Sequence, residues 1–215
     1  MSVVEVSLMD HKQVLKIFKD AGALLEGHFI LSSGLHSGMY LQCARVMMDA
    51  RRGARLCRSL AQKVREQIKR PIEYVISPAM GGIIVGHEMG RQLGVPALFL
   101  ERVEGVFTLR RGFDIPPKAH CLMVEDIVTS GLSSREAIES VRAHGGRVVG
   151  EACLVDRSGG KARVGTKLIS LMKLTIPTYE PDNLPDELRN IPAEKPGSRN
   201  LQSRKGGTSP RRKRA

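Results

Sequence analysis

The chain has 215 residues, 41% hydrophobic and 26% charged, which allows one generous α/β domain with an appendage and excludes two large domains or wholesale disorder. Its net charge is +12, yet seven of the cations (Arg199, Arg204, Lys205, Arg211, Arg212, Lys213 and Arg214) lie in 196–215 with no acid among them. The body therefore carries about +5, and most of the basicity belongs to a tail.

The first residues, MSVVEVSLMDHKQV, put acids and polar groups where a secretory leader needs an apolar run. No stretch approaches the roughly 20 apolar residues of a membrane span, so the sequence reads as soluble and cytoplasmic. Val14, Leu15 and Phe18 predict an amphipathic helix over 11–19, with Gly22 as its stop. GHFILSSGLHSGMYLQCARV then predicts two short strands, 29–31 and 39–43, joined by a Ser/Gly-rich turn. Ala54, Cys57, Ala61, Val64 and Ile68 keep an apolar stripe through a basic stretch, predicting a surface helix that Pro71 ends.

From Glu73 a unit repeats in which an apolar run meets a Gly- or Ser-bearing loop and then a helical pattern. EYVIS, PAMGG and IIVGHEMGRQLG come first; HCLMVED, IVTSGLS and SREAIESVRAHGG follow. ALFLER and VFTLRRGF lie between them as strands, and RVVGEACLVD comes after the second helix. Continuous apolar strands alternating with helices predict an α/β fold with a parallel sheet covered on both faces. Ligands of such sheets bind at the carboxyl ends of the strands. Turn-formers crowd beyond Pro177, and the last twenty residues read as disordered. Cys43, Cys57, Cys121 and Cys153 are far apart, with no Cys-x-x-Cys, so reduced thiols are expected. With no Trp, five Phe and three Tyr, the chain lacks aromatic platforms for single-stranded nucleic acid, which favours small ligands.

The strongest signal is LMVEDIVTSGLSS, residues 122–134. An apolar strand delivers Glu125 and Asp126 to its exit, and Thr129, Ser130, Gly131 and Ser133 fill the turn into a helix. Hydroxyls and free N–H groups at a helix start cradle a phosphate, and glycine lets the backbone come close. Two carboxylates beside that cradle would repel the anion unless they held sugar hydroxyls or a divalent cation. Together these needs describe a ribose phosphate. The alternative is an ordinary helix start, with Ser133 as N-cap and Glu136 completing a capping box. Neither a P-loop nor a G-x-G-x-x-G fingerprint is present.

This segment resembles the phosphoribosyl-pyrophosphate motif of type I phosphoribosyltransferases, and within them the match is to the orotate phosphoribosyltransferases. GALLEGHFILSSGLHSGMYLQC, ISPAMGGIIVGHEMGRQLG, the ER…TLRRGF stretch and LVDRSGG narrow it. The resemblance runs in order over about 22–163. It implies a single phosphoribosyltransferase domain over 1–195, with 1–50 as a hood-like part, and a homodimer. It further implies a transferase that moves the phosphoribosyl group of 5-phosphoribosyl 1-pyrophosphate onto orotate, in pyrimidine synthesis. Glu125 and Asp126 would hold the ribose hydroxyls, and Ile127, Val128, Thr129, Ser130, Gly131, Leu132 and Ser133 would wrap the 5-phosphate. Thr129 would also border the orotate, as would Tyr40. Arg157 matches the arginine that similar enzymes point at orotate, whose carboxylate suits a planar fork. Arg102 matches a pyrophosphate contact, and the loop 77–82 looks like the pyrophosphate loop.

The sequence departs from the family where some members carry lysines, at Ser32, Gly81 and Val103. Arg110 or Arg111 could supply the missing positive charge; the alternative is a plain hairpin with two solvated arginines. The implied reaction needs fixed charges at the ribose and the leaving pyrophosphate. Mg²⁺ would be held mainly by substrate and water, which requires few protein ligands. His11, His28, His36, His87, His120 and His144 show no metal-site spacing, so packing or surface roles are expected.

Two rival readings remain. One is an RNA-binding regulator on the same fold, with PRRKRA as its electrostatic arm; the same run read as a nuclear-localisation signal is a weaker possibility. The other keeps the enzyme and changes the base to a purine or uracil, against which Arg157 and the hairpin speak. A fused decarboxylase is not expected, since no second domain fits after Pro177.

Overall fold

A computed structural model describes residues 8–31 and 33–196; the departure at Ser32 and the basic tail from 197 lie outside the described residues. The chain divides into two compact units, one of Met1–Glu26 with Leu41–Pro177, the other of Gly27–Tyr40 with the chain from Thr178 onward.

The first unit holds a six-stranded sheet in the order β5-β4-β3-β6-β7-β8. Its strands are β3 (Tyr74–Pro78), β4 (Ala97–Val103), β5 (Val106–Leu109), β6 (His120–Val128), β7 (Arg147–Asp156) and β8 (Leu168–Lys173). All pairings are parallel except β4 with β5. The expected parallel sheet thus gains an antiparallel edge. That edge is a hairpin in which Val103 pairs with Val106, and Glu104 and Gly105 both take positive φ, 49° and 86°. Two consecutive left-handed residues make the turn that matches strand twist.

Helix α4 (Gly82–Leu93) joins β3 to β4, and α5 (Leu132–Ala143) joins β6 to β7. The chain moves outward in opposite directions from the neighbouring strands β3 and β6, so strand order reverses between them. Successive side chains of a strand face opposite ways. Ile76 of β3 enters the core with Met123, Ala137, Ile138 and Val141 on the α5 side. Val75 and Ser77 lie under α4, where a Cβ at Gly86 would collide with the Ser77 side chain. A Cβ at Gly90 would come within 2.8 Å of the Ala97 Cβ. Glycines one turn apart thus let α4 press directly onto the sheet.

Helix α1 (His11–Asp20) begins with a capping box: Asp10 accepts from the Gln13 N–H while Gln13 accepts from the Asp10 N–H. Gly22, at φ 59°, ends it as expected, and Val14 and Phe18 are wholly buried. A short helix, α2 (Cys43–Met47), starts where the second strand was predicted to end. Helix α3 (Ala50–Gln67) is longer than expected and less superficial: Leu56, Cys57, Leu60, Ala61 and Val64 are fully buried. It stops at Ile68, three residues before Pro71. The four cysteines are free thiols and all are buried.

Strands β1 (Leu24–Ile30) and β2 (His36–Leu41) form a separate two-stranded sheet. Both begin earlier than predicted, and Gln42 and Cys43 lie beyond β2. Within the second unit, Phe29 bridges to Glu194 and His36 to Tyr179. His28 Nδ1 lies 2.8 Å from the Ile191 carbonyl oxygen and its Nε2 2.5 Å from His36 Nδ1, a packing role for both rings. The turn-rich stretch after 177 contains one short helix, α6 (Asp186–Arg189). No helix among the described residues is long and apolar enough to cross a membrane.

Candidate active site

The reversal between β3 and β6 makes a topological switch point, and doubly wound sheets bind ligands in the crevice at the carboxyl ends of such strands. The loops that follow are 79–81 and 129–131, and the first packs onto the acids of β6: a Cβ at Gly81 would stand 2.9 Å from Asp126 Oδ2. The Ala79–Met80 peptide in the first loop is cis. A lysine at Gly81 would press on the Asp126 carboxylate, whereas glycine leaves that space open.

Glu125 and Asp126 close the apolar run of β6. Asp126 is anchored by its own neighbour, the Ile127 N–H donating to Oδ1 at 2.8 Å. Burial pushes its carboxyl above the usual range. Glu125 is buried, whereas Asp126 is half-buried, and burial, then Asp126, then Glu151 push the Glu125 carboxyl well up, with Arg102 opposing. Both acids are thus held in a state that a sugar hydroxyl or a cation would relieve. The Cys43 thiol points at the Asp126 carbonyl from 3.9 Å, and burial pushes it well up, so it is inert.

The turn after β6 is not the capping box that Ser133 and Glu136 suggested. Gly131 is the N-cap residue, in the left-handed region at φ 79°, and no side chain caps the helix. A Cβ there would lie 2.6 Å from the Arg163 carbonyl oxygen, so both conformation and space require glycine. Ser133 falls inside the first turn, exposed together with Thr129, Ser130 and Leu132. Ser130 Oγ accepts from the Leu132 N–H at a long 3.4 Å. The first-turn N–H groups that an α-helix leaves unbonded are therefore presented at the crevice, as a phosphate cradle needs. Ile127 and Val128 supply the strand end behind it, Val128 buried.

Arg157 follows β7, one strand along from the cradle, with Val128 paired to Asp156 and the Arg157 N–H donating to the Val128 carbonyl at 2.8 Å. Asp156 fixes the loop beyond it by accepting from Ser158 N–H and Oγ at 2.9 and 2.5 Å. Ser158 Oγ in turn accepts from the N–H groups of Lys161 and Ala162.

Arg102 stands near the end of β4. It donates to the Gly105 carbonyl and to Glu136 Oε2, each at 2.5 Å, and lies 3.9 Å from the Phe107 ring centroid. Arg111 donates twice to Glu101, at 3.0 and 2.9 Å, while Arg110 is exposed. The two arginines thus follow a true hairpin. Tyr40 belongs to the second unit, half-buried on β2, its ring 5.8 Å from that of Phe29.

Sequence reasoning missed Ser134, Glu136 as the partner of Arg102, Glu151, and the Asp156–Ser158 brace. Glu136 was visible only as a capping residue, and the others carry no signal until strand register is known. Among the described residues no group of three or more His, Cys, Asp or Glu is arranged to hold a metal.

The family profile described as phosphoribosyl transferase domain matches residues 47–180, which spans the loops after β3, β4, β6 and β7. The chain is 58% identical over 193 residues to an orotate phosphoribosyltransferase of Parvibaculum lavamentivorans, covering 90% of this chain and 100% of that one. It is 57% identical over 191 residues to an orotate phosphoribosyltransferase of Rhizorhabdus wittichii, covering 89% and 97%. Among solved structures, orotate phosphoribosyltransferase from Aeropyrum pernix superposes with a TM-score of 0.62 at 30% identity, over 75% of this chain and 93% of that one. A fold, a crevice and a sequence that agree to this extent lead to one assignment: the chain belongs to the phosphoribosyltransferases, in the orotate phosphoribosyltransferase family.

Proposed function

We infer that this protein is an orotate phosphoribosyltransferase, which displaces pyrophosphate from the anomeric carbon of 5-phosphoribosyl 1-pyrophosphate with a ring nitrogen of orotate, yielding orotidine 5'-monophosphate for pyrimidine synthesis. One observation carries the reading most strongly. Two adjacent acids, Glu125 buried and Asp126 half-buried, stand near the end of β6 ahead of a helix start with no side-chain cap, beside the loop 77–82 and at the point where strand order reverses. The anion cradle and the acids serve opposite ends of one ligand, a sugar phosphate. Relatives named orotate phosphoribosyltransferase over about nine-tenths of the chain support orotate as the acceptor.

In this reading the first turn of α5, with Thr129, Ser130, Gly131, Leu132 and Ser133, receives the 5-phosphate. Glu125 and Asp126 take the ribose hydroxyls and stabilise the positive charge that grows on the ring as the leaving group departs. Arg102 faces the opposite charge, on the pyrophosphate. Arg157 takes the orotate carboxylate, for which a guanidinium fork is suited. The donor set of adjacent carboxylates beside a phosphate cradle fits Mg²⁺ carried largely by substrate oxygens and water, as that ion prefers; when bound it would neutralise the leaving pyrophosphate. A cytoplasmic homodimer completes the proposal, and light scattering on the purified protein should give twice the chain mass.

The test is loss of orotate absorbance with purified protein, 5-phosphoribosyl 1-pyrophosphate and Mg²⁺, repeated with uracil and hypoxanthine. Orotate alone should be consumed. D126N should lower kcat/KM by about 10²–10³-fold, the range for removing one group that stabilises transition-state charge. R157A should raise the orotate KM by roughly 10–100-fold, as expected for losing a charged hydrogen bond. Consumption of uracil or hypoxanthine instead would change the acceptor. Consumption of no base would point to a regulator that only binds the sugar phosphate.

A further inference from the structure

Glu151 is a fully buried acid that the proposed reaction does not use. It follows Gly150 in the buried run of β7 and pairs in register with Met123, at a place where its neighbours along both strands are apolar. Its Oε1 accepts from the Ser134 hydroxyl at 2.6 Å, while Oε2 is buried without a hydrogen-bond partner. A carboxyl in such a place costs solvation that a leucine or valine would not. Its single bond is therefore informative.

Ser134 is the third residue of α5 and only 2% exposed. It lies on the inner side of the same turn whose outer residues, Ser130, Leu132 and Ser133, are exposed. The N-cap residue is a glycine and supplies no side-chain bond, so the start of the helix is fixed by other means. On the loop side Arg135 donates to the Arg163 carbonyl. On the sheet side the link is Ser134 to Glu151.

We propose that Glu151 is a positioning residue for the phosphate cradle, holding the first turn of α5 against the sheet through the Ser134 hydroxyl so that its N–H groups converge on the 5-phosphate. The inference rests on the proposed function only for the identity of the phosphorylated ligand. Helix-terminus anion sites depend on several N–H groups aimed at one point, and a displacement of about 1 Å from productive geometry is costly. A charge at this depth would also oppose an incoming anion. Burial holds the Glu151 carboxyl up at about 7, and its negative charge raises Glu125 in turn. A neutral acceptor is thus the form that suits the task, and glutamine should replace it.

The experiment compares S134A, E151L and E151Q with the wild type by calorimetric titration of 5-phosphoribosyl 1-pyrophosphate and by steady-state kinetics. S134A and E151L should each weaken sugar-phosphate binding about tenfold, the scale of one buried hydrogen bond, with kcat and the orotate KM within twofold. E151Q should stay within threefold of the wild type, and the S134A/E151L double variant should be no worse than E151L. Loss of kcat at unchanged affinity overturns the proposal, as does a lowered Tm in S134A and E151L with unchanged binding. A wild type that binds the sugar phosphate but consumes no orotate removes only the orotate assignment, because the titration still reads the link. A wild type that binds no sugar phosphate overturns both.

Discussion

Arg102 can reach a pyrophosphate only by giving up a partner. Its guanidinium bonds Glu136 at 2.5 Å, and both side chains of that pair are 40% exposed. Exposed pairs contribute about 1 kcal/mol or less, so exchanging Glu136 for a polyanion costs little. R102A should raise the KM for 5-phosphoribosyl 1-pyrophosphate about tenfold, the loss of one charge-assisted contact, whereas E136Q should lower it two- to threefold, within the range of an exposed pair. Initial rates at saturating orotate measure both, and a raised KM in E136Q would make Glu136 a support of Arg102 rather than its competitor. Glu151 gives a prediction of another kind. Its folded carboxyl titrates at about 7 against an ordinary 4.5, so between those values the folded state binds the proton more often than the unfolded one. Its contribution is fully present below pH 4.5 and is lost as pH rises through 7, by about 3 kcal/mol on conversion of the shift. The Tm of E151Q should therefore fall less than that of the wild type between pH 4.5 and 7.5; parallel curves would show that the carboxyl is not raised. Glu125 and Asp126 were legible because acids at the exit of an apolar strand stand out. Glu151 stands at the mouth of an apolar run too, but only register and the packing of α5 reveal what it holds.

At the scale of elements, the repeating strand, loop and helix pattern was readable because buried parallel strands are continuously apolar. The starts of elements were less so. The Ser133 and Glu136 spacing satisfies a capping pattern, but Gly131 begins the helix two residues earlier, and Glu136 is taken by an arginine from β4. The start of β1 is hidden because Glu26 and Gly27 break its apolar run, and its partner, β2, opens on the polar His36 and Ser37. The β4–β5 hairpin and a loop that supplies catalytic charge are two readings of the same residues, and the geometry leaves room for both. Arg111 leaves the hairpin at φ 61° and returns to Glu101, while Arg110 beside it is exposed. If these arginines replace the lysines of related enzymes, the R110A/R111A double variant should lose kcat at least tenfold, the scale of one transition-state electrostatic contact. Its Tm should hardly move, because the Glu101 pair is at the surface. Unchanged turnover would leave the hairpin as an edge device only.

At the scale of the whole molecule, the net charge of +12 is divided unevenly, with seven cations and no acid after Lys195. An even spread of charge would tie any binding of polyanions to the surface of the folded body. A basic run at one end separates the two, since counterion release depends on how many phosphates the chain neutralises and not on where the catalytic crevice lies. Every group assigned to the reaction lies between Tyr40 and Arg157, so the tail and the chemistry should be separable. Truncation after Lys195 should leave kcat and both KM values within twofold of the full chain. It should also flatten the salt dependence of retention on an RNA column, where each neutralised phosphate contributes a slope of roughly 0.7 for single strands. If turnover falls severalfold on truncation, the basic run takes part in the active assembly and the regulator reading loses its electrostatic arm. If turnover holds and salt-sensitive RNA retention disappears, one chain carries an enzyme and an independent polyanion-binding appendage.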